Sequence, residues 1–219
     1  MIIILEGEDG AGKSTLADMI ETRFHSRRRV VREAFGPPSY DPTSKVSYQE
    51  QVYNQHMRLL DEARLHPQTV YIVDRFHWGT VAYGRVFRPE RDLDGWGDMG
   101  RERFMFIENA VAQTGGVTVY VTNDLDTLAS RIAARGDEFL KIDASANGSQ
   151  IAAIKDKLAP VRAMYDSLLR EHLPSKAPIV VRLTTPNDTL DVAECIITLA
   201  RRRTYLTDSD QTNTDRIIT

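Results

Sequence analysis

Residues 7–14 read Gly-Glu-Asp-Gly-Ala-Gly-Lys-Ser, directly after the apolar run Ile2, Ile3, Ile4, Leu5. The octet fits the pattern G-x-x-x-x-G-K-[ST], and helical spacing begins at Ser14. A chain that starts this way is committed to a buried strand, a glycine turn and a helix whose N-terminus faces that turn. Backbone N–H groups in such a turn converge on one point, and the helix adds its positive dipole end, so the expected occupant is a phosphate group. The loop Gly7, Glu8, Asp9, Gly10, Ala11, Gly12, Lys13, Ser14, Thr15 is therefore read as an ATP-binding segment. Lys13 is expected to neutralise the β- and γ-phosphates, and Ser14 to ligate magnesium. A structural glycine turn would need neither Lys13 nor Ser14 at those places.

The rest of the chain repeats the strand and helix alternation. Val70–Val73, Val117–Val121 and Ile179–Leu183 are short, rich in β-branched residues and bounded by polar or turn residues, and a weaker run covers Arg29–Arg32. Helical spacing occupies Ser47–Leu65, Gly100–Gln113, Leu125–Ala134, Ser149–His172 and Thr189–Arg202. The pattern predicts an α/β fold built onto the phosphate-binding loop. Its five-stranded parallel sheet is flanked by helices, and ligands gather at the carboxyl ends of the strands. Residues 1–203 are expected to form a single domain with a small lid at about 135–148, and residues 204–219 a polar tail.

Charge and cysteine content narrow the partners. The formal net charge is −3, which argues against a dedicated polyanion binder and leaves room for a local anionic pocket. The single cysteine, Cys195, excludes an intrachain disulfide or a cysteine-based zinc site and suits a reducing cytoplasm. The apolar start is too short for a signal-peptide core, and no run reaches the length of a membrane span. The expected partners are small nucleotide substrates, with nucleic acid not favoured, no membrane, and a homodimer left open. The expected location is the cytoplasm, that of a host if the source is viral.

The third apolar run ends in Val73-Asp74-Arg75-Phe76, which sets a carboxylate and a guanidinium beside the phosphates. Asp74 can organise the magnesium shell or orient an acceptor, and Arg75 offers a fork that matches a phosphate. Together with Glu6 through Thr15, with Ala82-Tyr83 and with Arg135-Gly136-Asp137-Glu138-Phe139, this segment resembles the thymidylate kinase family, and in particular its small bacteriophage branch. The resemblance covers nearly the whole chain except the tail.

It implies the P-loop nucleotide kinase fold and an ATP- and magnesium-dependent kinase acting on a deoxynucleoside monophosphate, a pyrimidine such as dTMP. It further implies that Asp9 approaches the acceptor's 3′-hydroxyl, that Arg75 grips its phosphate, and that Arg131 and Arg135 close over the transferring group as lid arginines. Tyr53 and Arg58 are candidates for stacking on and reading the base, with Phe76 and Tyr83 beside them. Thymidylate kinases usually carry a serine and a glutamine around the Ala-Tyr pair. This chain has Gly79 and Gly84, which are expected to leave room for a larger or modified base. His77 is read as a pocket-wall residue. The alternatives are a kinase acting on a modified pyrimidine such as 5-hydroxymethyluracil in DNA, and a non-catalytic P-loop switch.

Overall fold

The computed structural model describes residues 1–24, 29–36, 46–92, 94–136, 148–171, 179–183 and 188–199. The elements run β1 Ile2–Glu6, α1 Lys13–Phe24, β2 Val30–Ala34, α2 Tyr48–Leu65, β3 Val70–Asp74, α3 His77–Phe87, a 3-10 turn Pro89–Arg91, α4 Arg101–Gln113, β4 Val117–Thr122, α5 Leu125–Arg135, α6 Gly148–Glu171 and β5 Ile179–Arg182. A last helix, α7, covers 188–199. Most of the expected lid, 137–147, and the tail 204–219 lie outside the described residues.

The five strands form one parallel sheet in the order β2-β3-β1-β4-β5. β1 is central, pairing β3 on one side and β4 on the other. Both faces of the sheet are covered, so β1 and β3 carry continuous apolar runs up to their last residues, Glu6 and Asp74. Ile3 and Leu5 of β1, Val70 and Ile72 of β3, and Val117, Val119 and Val121 of β4 enter one core with α1 and α5. Ile2, Ile4, Tyr71, Val73 and Tyr120 enter the other with α2, α3 and α4. α6 serves both cores, with Ile154 and Leu158 in the first and Val161, Tyr165 and Leu168 in the second.

All five expected strands are present. Among the described residues, the one α-helix that sequence spacing did not announce is α3. Its N-cap residue, Phe76, makes no side-chain cap, and two glycines, Gly79 and Gly84, interrupt its pattern. The cap comes from β1 instead. Glu6, fully buried at the strand's last position, accepts hydrogen bonds from the backbone N–H groups of Phe76 (2.9 Å), Trp78 (3.1 Å) and Gly79 (2.9 Å).

Candidate active site

The phosphate loop leaves β1 at Gly7, where φ is 138° and any Cβ would lie 1.9 Å from the carbonyl oxygen of Val121. Only glycine lets the loop pass this close to β4. The loop turns back into α1 so that Lys13 is buried, its Nζ donating to the carbonyl oxygens of Gly7 (3.0 Å) and Glu8 (2.8 Å). Burial, with Arg75 nearby, lowers the Lys13 amine to about 8; Asp74 and Asp9 oppose this in part. The loop and α1 open onto a cavity of about 450 Å³, to which Asp9, Gly10, Gly12, Lys13, Ser14 and Thr15 contribute. Asp74, Arg75, Arg131 and Arg135 line it as well.

Gly7, Glu8 and Ala11 sit behind that wall. The Glu8 side chain is fully buried and turned to the opposite side, where it accepts from Arg162 Nε (2.8 Å) and the Tyr120 hydroxyl (2.9 Å). This partly buried pair joins the loop to α6, and nothing in the local sequence signals it. Arg131 also differs from the expectation of a group held away until closure. Its guanidinium donates to the carbonyls of Gly10 (3.2 Å) and Leu183 (2.9 Å), which fixes α5 against the loop.

Asp74 ends β3 opposite the loop, with Oδ2 accepting from the Ser14 hydroxyl (3.2 Å) and Oδ1 4.0 Å from Lys13 Nζ. One carboxylate and one hydroxyl at this separation are a hard-oxygen set that fits magnesium, which takes few protein ligands and completes its shell with water and phosphate oxygens. Arg75 follows in a left-handed conformation, φ 61°, with its N–H held by Leu5 O (2.9 Å). A non-glycine residue in that region is strained, and here the turn aims its side chain back across the loop.

Arg75 pairs with Asp9, lies over the Tyr83 ring at 4.4 Å and donates to the Tyr83 hydroxyl (3.2 Å). The same hydroxyl donates to Asp9 Oδ2 (2.9 Å) and accepts from the Asp9 N–H (3.1 Å). Burial alone would raise the Asp9 carboxyl, but Arg75, Lys13 and the Tyr83 hydrogen bond bring it below its ordinary value. Asp9, Arg75 and Tyr83 thus form one unit.

Arg75 and Phe35 also line a second, smaller cavity of about 260 Å³. Its apolar wall includes Val52, Phe76 and Tyr83, and its polar groups include Gln55, His56, Thr80 and Asp98. Two sequence candidates are not among its lining residues. Tyr53 lies on the far side of α2, its ring 6.2 Å from that of Phe106, and Arg58 is 74% exposed beside Glu62. The face of α2 turned to the cavity carries Val52, Gln55 and His56, one turn apart.

His77 is also placed differently from expectation. It is fully buried with Nε2 2.5 Å from Glu108, behind Phe76, while His56 reaches the wall. Of the two glycines expected to make room for a base, Gly79 lines this cavity and Gly84 does not. A Cβ at Gly84 would meet the backbone N of Asp98 at 2.8 Å and its carboxylate at 3.0 Å, and one at Gly79 would meet Glu6 and Arg75.

The match to known proteins agrees with this geometry. The family model described as an AAA domain matches residues 3–155. A thymidylate kinase of Mycoplasma pneumoniae is 25% identical over 64% of this chain and 71% of its own. Among solved structures, the YorR protein of Bacillus subtilis in complex with phosphorylated GDP superposes with a TM-score of 0.59 at 19% identity, covering 92% of this chain and 96% of that one. The thymidylate kinase of Candida albicans gives 0.57 at 16% identity, covering 93% and 92%. At these identities the structures share the fold, and the family match spans most of the chain, so the protein belongs to the AAA domain family of P-loop proteins.

Proposed function

We propose that the protein is an ATP-dependent deoxynucleoside monophosphate kinase whose acceptor is a pyrimidine nucleotide such as dTMP. The observation that carries this reading is the pair of adjoining cavities that share Arg75, one built on the phosphate loop and the other lined by aromatic and hydrogen-bonding side chains. ATP would take the larger and the monophosphate the smaller. Arg75 stands at the seam, where an acceptor phosphate would exchange the Asp9 carboxylate for its own oxygens. The likeness to thymidylate kinases supports the same assignment.

In this reading the chain's work is positioning and charge stabilisation, the usual demands of phosphoryl transfer. Lys13 leaves the loop carbonyls for the β- and γ-phosphates. Ser14 and Asp74 would hold magnesium, which would supply charge neutralisation on the phosphates when bound. Asp9, set by Tyr83, faces the sugar. Arg135, at the last turn of α5 on the ATP cavity, meets charge on the transferring group.

The test is to incubate the protein with ATP and separately with dTMP, other monophosphates, thymidine and hydroxymethyluracil-containing DNA, following ADP and the phosphorylated product. A monophosphate should be converted to its diphosphate while thymidine is not. Modification of the DNA alone would replace this reading with that of a DNA-base kinase.

A further inference from the structure

The smaller cavity has one end that the reading above leaves unexplained. There Asp98, just before α4, is fully buried, and its Oδ2 accepts from Arg88 Nε at 2.7 Å. The other oxygen, Oδ1, is shielded from water and has no hydrogen-bond partner among the described residues. The Oε1 atom of Gln55, on the same cavity from α2, is likewise shielded and unpartnered.

A buried acceptor without a donor is destabilised relative to the same atom in water, and two of them on one cavity are uncommon in a folded protein. The fold nevertheless makes room for the first. Gly84 of α3 is the position at which a Cβ would strike Asp98, so the missing side chain is what admits the carboxylate. The remaining polar wall does not repeat the demand, because Thr80 and the Nε2 of His56 hydrogen-bond to each other at 3.2 Å.

We infer that Asp98 and Gln55 read the base of the acceptor, and that they select a base edge presenting two donor hydrogens rather than one. The inference rests on the assignment of this cavity to the acceptor. Thymine and uracil carry a single ring N–H on their pairing edge, so each leaves one of the two acceptor atoms unpaired. Two pyrimidine chemistries supply both hydrogens: an exocyclic amino group, as in cytosine, and a ring N–H together with a hydroxymethyl substituent, as in 5-hydroxymethyluracil. Thymidylate then binds, but as the poorer member of its class. A site built around polar partners discriminates strongly against an analogue that lacks them, because the buried atoms are stranded when it binds.

The experiment uses two matched pairs of free nucleotides, dCMP against dUMP and 5-hydroxymethyl-dUMP against dTMP. Dissociation constants are measured by calorimetry without ATP, and kcat/KM is measured with it. The expected result is that at least one donor-bearing nucleotide binds about tenfold or more tightly than its partner, the cost of one stranded hydrogen bond. The pair that responds shows which of the two donor arrangements is read.

Gln55→Leu, which removes one acceptor and leaves the Arg88–Asp98 pair in place, should shrink that ratio while ATP affinity stays the same. Asp98→Asn should shrink it further if the variant folds. Equal affinities within both pairs, or tighter binding of dUMP and dTMP, would overturn the inference and leave the kinase reading untouched. Selective binding with no transfer from ATP would do the reverse.

Discussion

In the proposed reading Lys13 and Arg75 divide the labour of the site, and their environments make that division measurable. Lys13 is held on two carbonyl oxygens and has its pKa lowered to about 8, so in the free protein it is half neutral near that pH and loses the rest of its charge above it. ATP affinity should therefore decline above about pH 8 in direct binding measurements, and Lys13→Ala should flatten that dependence and reduce turnover by roughly 10²-fold or more. A folded variant with ordinary turnover would remove Lys13 from the chemistry. Arg75→Ala should raise the KM of the monophosphate or lower kcat while ATP binding changes little, because the side chain is paired across the seam with Asp9 and Tyr83. Loss of ATP affinity with normal acceptor kinetics would assign Arg75 to the wrong ligand.

The loop, Asp74 and Arg75 were legible because a motif fixes their spacing and a strand end fixes their place. Tyr53 was misjudged because residue type alone does not say which face of α2 turns inward. Asp98 gave no signal at all, since its partners, Arg88 and the space above Gly84, are defined only by packing.

At the scale of elements, the strands could be read directly, and α3 could not. Five apolar runs are enough to specify a parallel sheet buried on both faces, whereas α3 takes its cap from a residue 70 positions earlier. No local pattern can announce a helix start whose cap lies on another strand. Glu6 also accepts from the Tyr165 hydroxyl at 3.2 Å, so one carboxylate ties β1, α3 and α6 together. Burial raises its pKa, and His77 and the backbone donors counter that rise.

Glu6→Gln puts an amide N–H₂ against either the Gly79 N–H and the Tyr165 hydroxyl or the Phe76 and Trp78 N–H groups. The expected cost is about 2–4 kcal/mol, read as a fall of several degrees in Tm. Tyr165→Phe, which removes one donor and leaves the cap, should cost about 1 kcal/mol. Equal losses from the two variants would show that the cap is not what Glu6 contributes.

For the whole molecule, the buried histidine at the second cavity should contribute to the loss of stability in acid. His56 donates from Nδ1 to Val52 O at 2.7 Å, and burial lowers its pKa to about 4. Between that value and the ordinary 6.5 the unfolded chain binds a proton that the folded chain does not, so stability rises with pH across this window and is lost as pH falls through it. The difference is on the order of 3 kcal/mol, and His56→Gln should remove most of that slope from unfolding curves taken between pH 6.5 and 4.

The central claim, that two cavities meeting at Arg75 pass a phosphoryl group from one nucleotide to the other, is tested most directly with ATP labelled at the γ-phosphate. With a saturating pyrimidine deoxynucleoside monophosphate present, the account predicts that the label appears in the diphosphate in step with ADP, with little released as inorganic phosphate. Label recovered as inorganic phosphate at the same rate with and without the monophosphate would contradict it and identify the protein as an ATPase.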